Sequence, residues 1–172
     1  IPAIVGRVSY SGDLGYEIWV KPASLIRLYD DLMAAGTDFD IRPFGARALN
    51  ALRLEKNYGS WGREYRPLYG PVEVGLDRFV AYDKPADFIG KAAALAERDN
   101  GGIMRLISLA VSAIDADVIG DEPVSIDGAV VGWVTSGGFA HASKTSVALA
   151  MVPKEFALRN DGWTVELLGQ SL

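Results

Sequence analysis

Residues 120–153 read GDEPVSIDGAVVGWVTSGGFAHASKTSVALAMVP, and their pattern decides the fold of the second half of the chain. Short apolar runs rich in β-branched residues alternate with turn signals, which is typical of antiparallel strands. The same texture begins after Gly102 and continues through WTVELLG at 163–169. The turn signals lie at Asp127-Gly128, Gly137-Gly138 and Asp161-Gly162. We therefore predict a small antiparallel sheet or barrel for this half of the chain.

The first half of the chain mixes strand and helix patterns. Residues 7–20, RVSYSGDLGYEIWV, alternate apolar and polar side chains around a glycine-containing turn, which predicts a β-hairpin. Helical spacing predicts helices from Pro22 to a C-cap at Gly36, from Pro43 to about Asn57, and from Asp87 to an end at Asn100-Gly101. The remaining segments are predicted to be extended at 39–42, a loop at 58–71 and extended at 71–80.

These patterns place the chain in the α+β class. A mixed α/β subdomain over residues 1–101 is followed by the β-barrel domain over residues 102–172. The boundary is expected near Asn100–Gly102, where the helical texture ends. A length of 172 residues suits one domain or two small ones.

The net charge and its distribution along the chain limit the class of ligand that the chain could bind. The chain carries 17 Lys and Arg against 22 Asp and Glu, a formal charge of −5, which makes a general nucleic-acid binder a poor interpretation. Residues 41–70 are the exception, because their cations exceed their acids by four. These cations are Arg42, Arg47, Arg53, Lys56, Arg63 and Arg66. Such a basic island suits a small anionic ligand better than a duplex.

Residue types that are scarce or absent exclude several kinds of chemistry. The chain has no cysteine, which excludes disulfides, thiolate metal sites and cysteine nucleophiles, and which fits the cytoplasmic location that we expect. No apolar run approaches the roughly 18 residues of a membrane span, so no membrane partner is predicted. His141 is the only histidine, so we predict no metal site and no Ser-His-Asp triad.

One motif offers a nucleotide-binding alternative. GFAHASKT at 138–145 misses the phosphate-binding P-loop pattern by one residue, with Ser143 in place of a glycine. The P-loop mechanism also needs a following helix whose N-terminus holds the phosphates. The next residues, SVALAMVP, favour a strand, so a turn between strands is the preferred interpretation.

Two groups of residues are candidates for binding a planar, anionic ligand. Tyr10 and Glu17 flank the turn of the predicted hairpin. As an exposed strand residue Glu17 would be unremarkable, but if its face is enclosed its carboxylate could accept adjacent N–H donors of a ligand. Arg53 and Arg63 could bind a carboxylate, and Trp61 could stack on a flat ring. Surface salt bridges and loop packing explain the same residues equally well.

The chain resembles the folate-binding aminomethyltransferase (glycine cleavage T-protein) family. The resemblance runs in order through YSGDLGYEIWV, GARALNALRLEKNYGSWGREY, PVEVGLDRFV, DFIGKAA and the stretch at 120–153. The WGRE and SGGFAHASKTSVALAMVP forms look more like the folate-binding part of dimethylglycine and sarcosine dehydrogenases. The resemblance implies α+β subdomains and a C-terminal β-barrel around a central folate channel.

The resemblance also implies site residues and partners. Tyr10 and Glu17 match the family's hairpin tyrosine and glutamate, with the glutamate gripping the pterin, and Arg53 matches the arginine of the helix against folate. Trp61 falls where an aromatic often precedes a glycine. Tetrahydrofolate and a methylated amine are the implied ligands, with FAD in a separate upstream domain of the full-length protein.

The chain departs from the family in one large respect. Family members carry roughly another half before the hairpin, and that half holds the expected catalytic aspartate, so the chain looks like a C-terminal fragment. The missing half is an expected partner, and an uncovered half-domain is expected to self-associate. The implied activity is transfer of a one-carbon unit to tetrahydrofolate. The alternative is a non-catalytic folate-binding or scaffold module.

Overall fold

The computed structural model describes all 172 residues and contains three α-helices and eight β-strands. The chain divides into two compact units, Ile1–Tyr58 and Gly59–Leu172. The domain boundary predicted near residue 101 falls inside the second unit and stays a prediction. No helix combines the length and apolar character that crossing a bilayer requires.

The first unit contains a two-stranded antiparallel ladder and two helices. Its elements are β1 (Ala3–Gly6), β2 (Glu17–Val20), α1 (Leu25–Ala35) and α2 (Ala46–Glu55). Ala3 pairs with Val20 and Gly6 with Glu17 at the two ends of the ladder. The hairpin is therefore confirmed, but its first strand lies before residue 7 rather than within 7–20.

Side-chain hydrogen bonds explain why residues 7–16 are a loop rather than strand. The Ser9 hydroxyl accepts a hydrogen bond from the Gly12 N–H at 3.1 Å, and Gly12 adopts a left-handed conformation with φ 85°. Such local side-chain bonds compete with strand pairing for the backbone. Tyr10 consequently lies in the loop, not on a strand.

The first unit differs from the predicted local structure at three places. α1 ends before Gly36 as predicted, but a turn of 3₁₀-helix precedes it at Pro22–Ser24. α2 begins at Ala46 rather than Pro43, because Gly45 is extended with ψ 178° and serves as the N-cap. The 39–42 segment is not extended, since the Phe39 N–H bonds the Gly36 carbonyl in a second 3₁₀ turn.

The first unit leaves most of its apolar surface in solvent. Only Arg53 and Leu54 are buried among its residues, and α1 buries none of its side chains. Large apolar side chains are exposed on both the ladder and the helical segments, including Ile4 at 71%, Ile26 at 77% and Phe39 at 84%. A two-stranded hairpin is marginally stable without further packing.

The second unit is built on a six-stranded antiparallel sheet with the order β3-β6-β5-β4-β7-β8. Its elements are α3 (Lys91–Asn100), β3 (Met104–Val111), β4 (Pro123–Ile126), β5 (Ala129–Ala140), β6 (Thr145–Pro153), β7 (Trp163–Leu167) and β8 (Gln170–Ser171). The predicted antiparallel sheet is confirmed. α3 also ends at Gly101 as predicted, with Gly101 left-handed at φ 79°. It begins at Lys91 rather than Asp87, because the preceding Gly90 is left-handed at φ 88°.

The core of the second unit lies on one face of this sheet. Its fully buried members are valines and alanines from several strands, including Val124, Val134, Ala148, Ala150 and Val152. β6 is covered on both faces, because Leu149 and Met151 on its opposite side are also fully buried. A strand buried on both faces reads as a continuous apolar run.

Two predicted features of this unit are wrong. Gly137-Gly138 lies inside β5 rather than in a turn, because the Val118 segment packs directly on Gly137 and leaves no room for a Cβ. Residues 71–80 are turns rather than a strand, since the Leu76 N–H bonds the Pro71 carbonyl at 2.7 Å. The 141–144 turn leads into β6 rather than a helix, which confirms the preferred interpretation of a turn between strands.

The Glu73 carboxylate links its own turn to the start of β3 through hydrogen bonds. It accepts hydrogen bonds from the N–H groups of Ile103 and Met104, each at 2.8 Å, and of Gly70 at 3.2 Å. Burial raises the pKa of this carboxyl, but the three N–H donors and the charge of Arg105 outweigh that effect. The pKa of Glu73 therefore lies below its ordinary value.

We expect Glu73→Gln to lower the free energy of unfolding at pH 7 and to matter less in acid. A lowered folded-state pKa stabilises the fold above the unfolded value of about 4.3, and this stabilisation is lost as the pH falls through the folded-state pKa. Urea unfolding of both proteins between pH 7 and about pH 3 measures the difference. Glu155→Gln, at an exposed glutamate, is the matched control. A difference in the free energy of unfolding between wild type and Glu73→Gln that stays constant with pH would contradict the lowered pKa of Glu73.

Candidate functional site

The structure brings the hairpin loop against the end of α2. Lys56, the C-cap of α2, pairs with Asp13 of the loop at 3.2 Å between Nζ and Oδ1. The Lys56 side chain also packs on the Gly12 backbone so closely that a Cβ at Gly12 would overlap it. The two sequence features singled out for ligand binding within the first unit are therefore joined by direct contact.

Glu17 is presented at the start of β2 with its side chain exposed. Its backbone is held by pairing with Gly6, whereas no hydrogen bond or ion pair within the chain occupies its carboxylate. A carboxylate held this way can accept two N–H donors of a ligand without first breaking an internal bond. The face of Glu17 is exposed rather than enclosed, so its role in recognising adjacent N–H groups stays a prediction.

Tyr10 lies in the loop between β1 and β2, partly buried. The loop around it is closed by the Ser9–Gly12 hydrogen bond and by a 3.4 Å contact between the Ser9 and Ser11 hydroxyls. These bonds fix the backbone on the C-terminal side of Tyr10. Its assignment to a ligand site stays a prediction.

Arg53 is 3% exposed and serves the fold of the first unit. Its Nε and Nη2 donate to Asn50 Oδ1 at 2.9 and 2.7 Å, and its Nη1 donates to the Tyr58 carbonyl at 3.0 Å. The guanidinium thus bridges the last turn of α2 to the residues that follow it. A role in folate binding stays a prediction, since these contacts are structural.

We expect Arg53→Met to reduce the free energy of unfolding by roughly 1–3 kcal/mol, because it leaves the Asn50 side chain and the Tyr58 carbonyl without their donor. Chemical unfolding followed by circular dichroism measures the loss. Arg47→Met is the matched control, because Arg47 is an exposed arginine of the same helix. Equal losses in the two variants would show that the buried contacts of Arg53 contribute nothing.

Trp61 belongs to the second unit and is 85% exposed. It lies in the segment Gly59–Arg66, here called the Trp61 loop, and its ring meets Tyr65 edge-on at 6.4 Å between centroids. Arg63, the other carboxylate-binding candidate, donates instead to both carboxylate oxygens of Asp121 at 3.0 Å. The loop therefore presents an indole face, while its arginine already has a partner.

Sequence reasoning missed Glu64, which is fully buried within the Trp61 loop. Its Oε2 accepts a hydrogen bond from the Ser60 N–H at 2.7 Å. Glutamate is almost never fully buried, and its position in a loop rich in Gly, Pro and aromatics gave no periodicity that would mark it. His141, in contrast, is an exposed loop residue as expected, edge-on to Phe139.

Two family models match the chain. One is described as the GCVT N-terminal domain and matches residues 1–84, and the other is described as the glycine cleavage T-protein C-terminal barrel domain and matches residues 105–172. The chain belongs to the glycine cleavage T-protein family. The family assignment confirms the resemblance found in the sequence, and the barrel model agrees with the α+β fold class and the barrel predicted for the C-terminal half.

Relatives of this T-protein-family chain fall into two groups. Dimethylglycine dehydrogenase of Mus musculus, a mitochondrial protein, is 41% identical over 99% of the chain, which corresponds to 20% of that protein. Aminomethyltransferase of Bacillus cereus is 33% identical over 91% of the chain and 43% of its own length. The crystal structure of aminomethyltransferase T from Bartonella henselae has a TM-score of 0.84 and 25% identity.

The chain covers only part of the length of these relatives. The structural alignment with the Bartonella henselae protein includes 97% of this chain but 46% of that one. The chain thus spans less than half the length of the aminomethyltransferases and about a fifth of the dimethylglycine dehydrogenases that it matches.

Proposed function

We propose that the chain forms the C-terminal part of a tetrahydrofolate-dependent one-carbon transferase. The substrate would be a methylated amine or an aminomethyl group, and the acceptor would be tetrahydrofolate. Similarity along nearly the whole chain to both dimethylglycine dehydrogenase and aminomethyltransferase carries this proposal. The transferred methylene would be that of the iminium left by oxidation of the methylated amine, or of an aminomethyl group released from its carrier. N5 of tetrahydrofolate would attack this carbon and lose its proton, and N10 would then attack the same carbon and lose its proton. The amine would leave with its bonding electron pair and one of these protons to give 5,10-methylenetetrahydrofolate.

The chain's own residues would bind and orient the acceptor rather than break bonds. Glu17 would accept the amino and ring N–H groups of the pterin, and the lack of an internal partner for its carboxylate supports this role. Arg53 would hold the end of α2 in place. A role for Tyr10 in pterin binding and for Trp61 in stacking on a flat ring is carried over from the family resemblance. Holding the acceptor in one orientation lowers the entropy cost of the transfer.

The exposed apolar surface of the first unit supports a further part of the proposal. α1 is amphipathic yet buries none of its side chains, and Ile4 and Ile26 are largely exposed. We propose that a further N-terminal part of the same fold covers this surface and carries the catalytic aspartate. Without that cover the surface would drive self-association. FAD, in a separate upstream domain, would oxidise the amine in a dehydrogenase-type protein.

A second candidate function is a non-catalytic folate-binding module. It is favoured by the character of Tyr10, Glu17 and Trp61, which suit ligand binding rather than bond breaking. Formation of 5,10-methylenetetrahydrofolate by the full-length protein would exclude this alternative. The cytoplasmic location stays a prediction, and the mammalian dimethylglycine dehydrogenases are described as mitochondrial.

The proposal is tested by titrating the chain with tetrahydrofolate and following tryptophan fluorescence. We expect saturable quenching, and p-aminobenzoylglutamate, which lacks the pterin, should bind more weakly. Equal binding of the two ligands would contradict pterin recognition. If the folded chain binds neither, the same titration on the full-length protein decides whether the family's ligand is bound at all.

A further inference from the structure

The Trp61 loop combines an exposed indole with a fully buried carboxylate. Trp61 is 85% exposed, whereas Glu64, three residues later, is completely inaccessible. Burying a carboxylate is costly unless hydrogen bonds or charges compensate it. Glu64 places a carboxyl group inside a surface loop, while the large apolar side chain of Trp61 stays in water. This arrangement calls for a physical explanation.

Hydrogen bonds across the loop fix its backbone around Trp61. Glu64 Oε2 accepts from the Ser60 N–H at 2.7 Å, and the Tyr65 N–H donates to the Ser60 carbonyl at 2.9 Å. The Tyr65 hydroxyl accepts from the Gly59 N–H at 3.0 Å. Gly59 and Ser60, which precede Trp61, are thus bonded to Glu64 and Tyr65, which follow it.

Packing and an ion pair reinforce the same geometry. Gly59 has no room for a side chain, because a Cβ there would lie 2.7 Å from Glu64 Cβ and from the Tyr65 ring. Arg63 joins the loop to Asp121, which precedes β4, through two 3.0 Å contacts. The loop is therefore constrained on both sides of Trp61, while the indole itself makes only the edge contact with Tyr65.

We propose that Glu64 is a positioning residue whose buried carboxylate holds the Trp61 indole ready to stack on the flat ring of the ligand. Pre-ordering an aromatic platform removes the cost of ordering it on binding. The identity of the ring as that of a folate rests on the proposed function. The role of Glu64 in ordering the indole does not, because it is a property of the chain alone.

The first test measures the motion of the indole without ligand. In the ¹⁵N-labelled chain, the heteronuclear NOE of each tryptophan indole N–H reports picosecond-to-nanosecond motion, and Trp61→Phe assigns the Trp61 signal. We expect Glu64→Gln to lower the NOE at Trp61 and to leave the NOE unchanged at the other indoles. Those are Trp19, Trp133 and Trp163.

A second variant keeps the test decisive if Glu64→Gln does not fold. Asp121→Asn, at an exposed residue, removes the ion-pair partner of Arg63 and should lower the Trp61 NOE by less than Glu64→Gln does. Asp161→Asn, at the exposed partner of Arg159, is the matched control. An unchanged Trp61 NOE in every folded variant of Glu64 and Asp121 overturns the proposal.

Ligand binding then separates this inference from the proposed function. Where tetrahydrofolate binds, Glu64→Gln should raise Kd by about tenfold in the parent chain and not at all in a Trp61→Leu background. Equal effects in the two backgrounds overturn the positioning role. If tetrahydrofolate does not bind even to the full-length protein, the proposed function fails, and the NOE measurement still decides whether Glu64 orders the indole.

Discussion

Glu17→Gln is expected to weaken tetrahydrofolate binding by ~1–3 kcal/mol, which corresponds to a rise in Kd of about fivefold to 150-fold. The substitution keeps the size of the side chain but replaces one acceptor oxygen with an NH₂ group that faces the pterin N–H donors. Because the Glu17 carboxylate has no partner within the chain, the fold should be unaffected. Fluorescence titration gives Kd, and the midpoint of urea unfolding gives the stability.

The control for this prediction is Glu166→Gln. Glu166 is likewise an exposed glutamate on a strand, but it lies on β7 of the second unit. Its replacement should leave Kd unchanged. An unaltered Kd in Glu17→Gln, measured where the wild type binds, would remove Glu17 from the site.

Leu149→Ala is expected to lower the free energy of unfolding by roughly 2–5 kcal/mol, the usual range for removing a fully buried leucine. Leu149 is 0% exposed and lies in β6, which pairs with β3 on one side and β5 on the other. The lost methyl groups would leave a cavity between elements that cannot collapse without disturbing two strand ladders. Chemical unfolding followed by far-ultraviolet circular dichroism measures the effect.

Leu158→Ala is the matched control, since Leu158 lies in the same unit and is 92% exposed. Its replacement should change the free energy of unfolding by less than about 0.5 kcal/mol. Similar losses at the two positions would mean that β6 is not the packed centre of the sheet.

The sheet was largely predictable because its signals are local. Asp127-Gly128 marks the turn between β4 and β5, and TSVALAMVP coincides with β6 at both ends. The Gly137-Gly138 prediction failed because the glycine is required by a segment remote in sequence, near Val118, that packs on the strand. A turn glycine and a glycine that admits a neighbouring backbone look the same in a single sequence.

The residue types of the candidate site could be selected from the sequence, but their contacts could not. Whether the face of Glu17 is enclosed or exposed cannot be read from the sequence, and the structure shows it exposed. Arg53 was selected as a charged residue, and only the structure shows that its guanidinium is buried against Asn50 and Tyr58. The burial of Glu64 was equally hidden, because it depends on how a loop without periodicity closes on itself.

The position of β6 also sets the order of events while the chain is being synthesised. β6 cannot pair with β3 or β5 before Pro153 has been added, so the sheet is completed late. At about 5–20 residues per second, the ribosome needs on the order of 5–20 s to proceed from Tyr58 to Pro153. Throughout that interval the second unit lacks the strand that joins β3 to β5. The nascent chain is therefore a natural client for chaperones that hold apolar strands until β6 has been added.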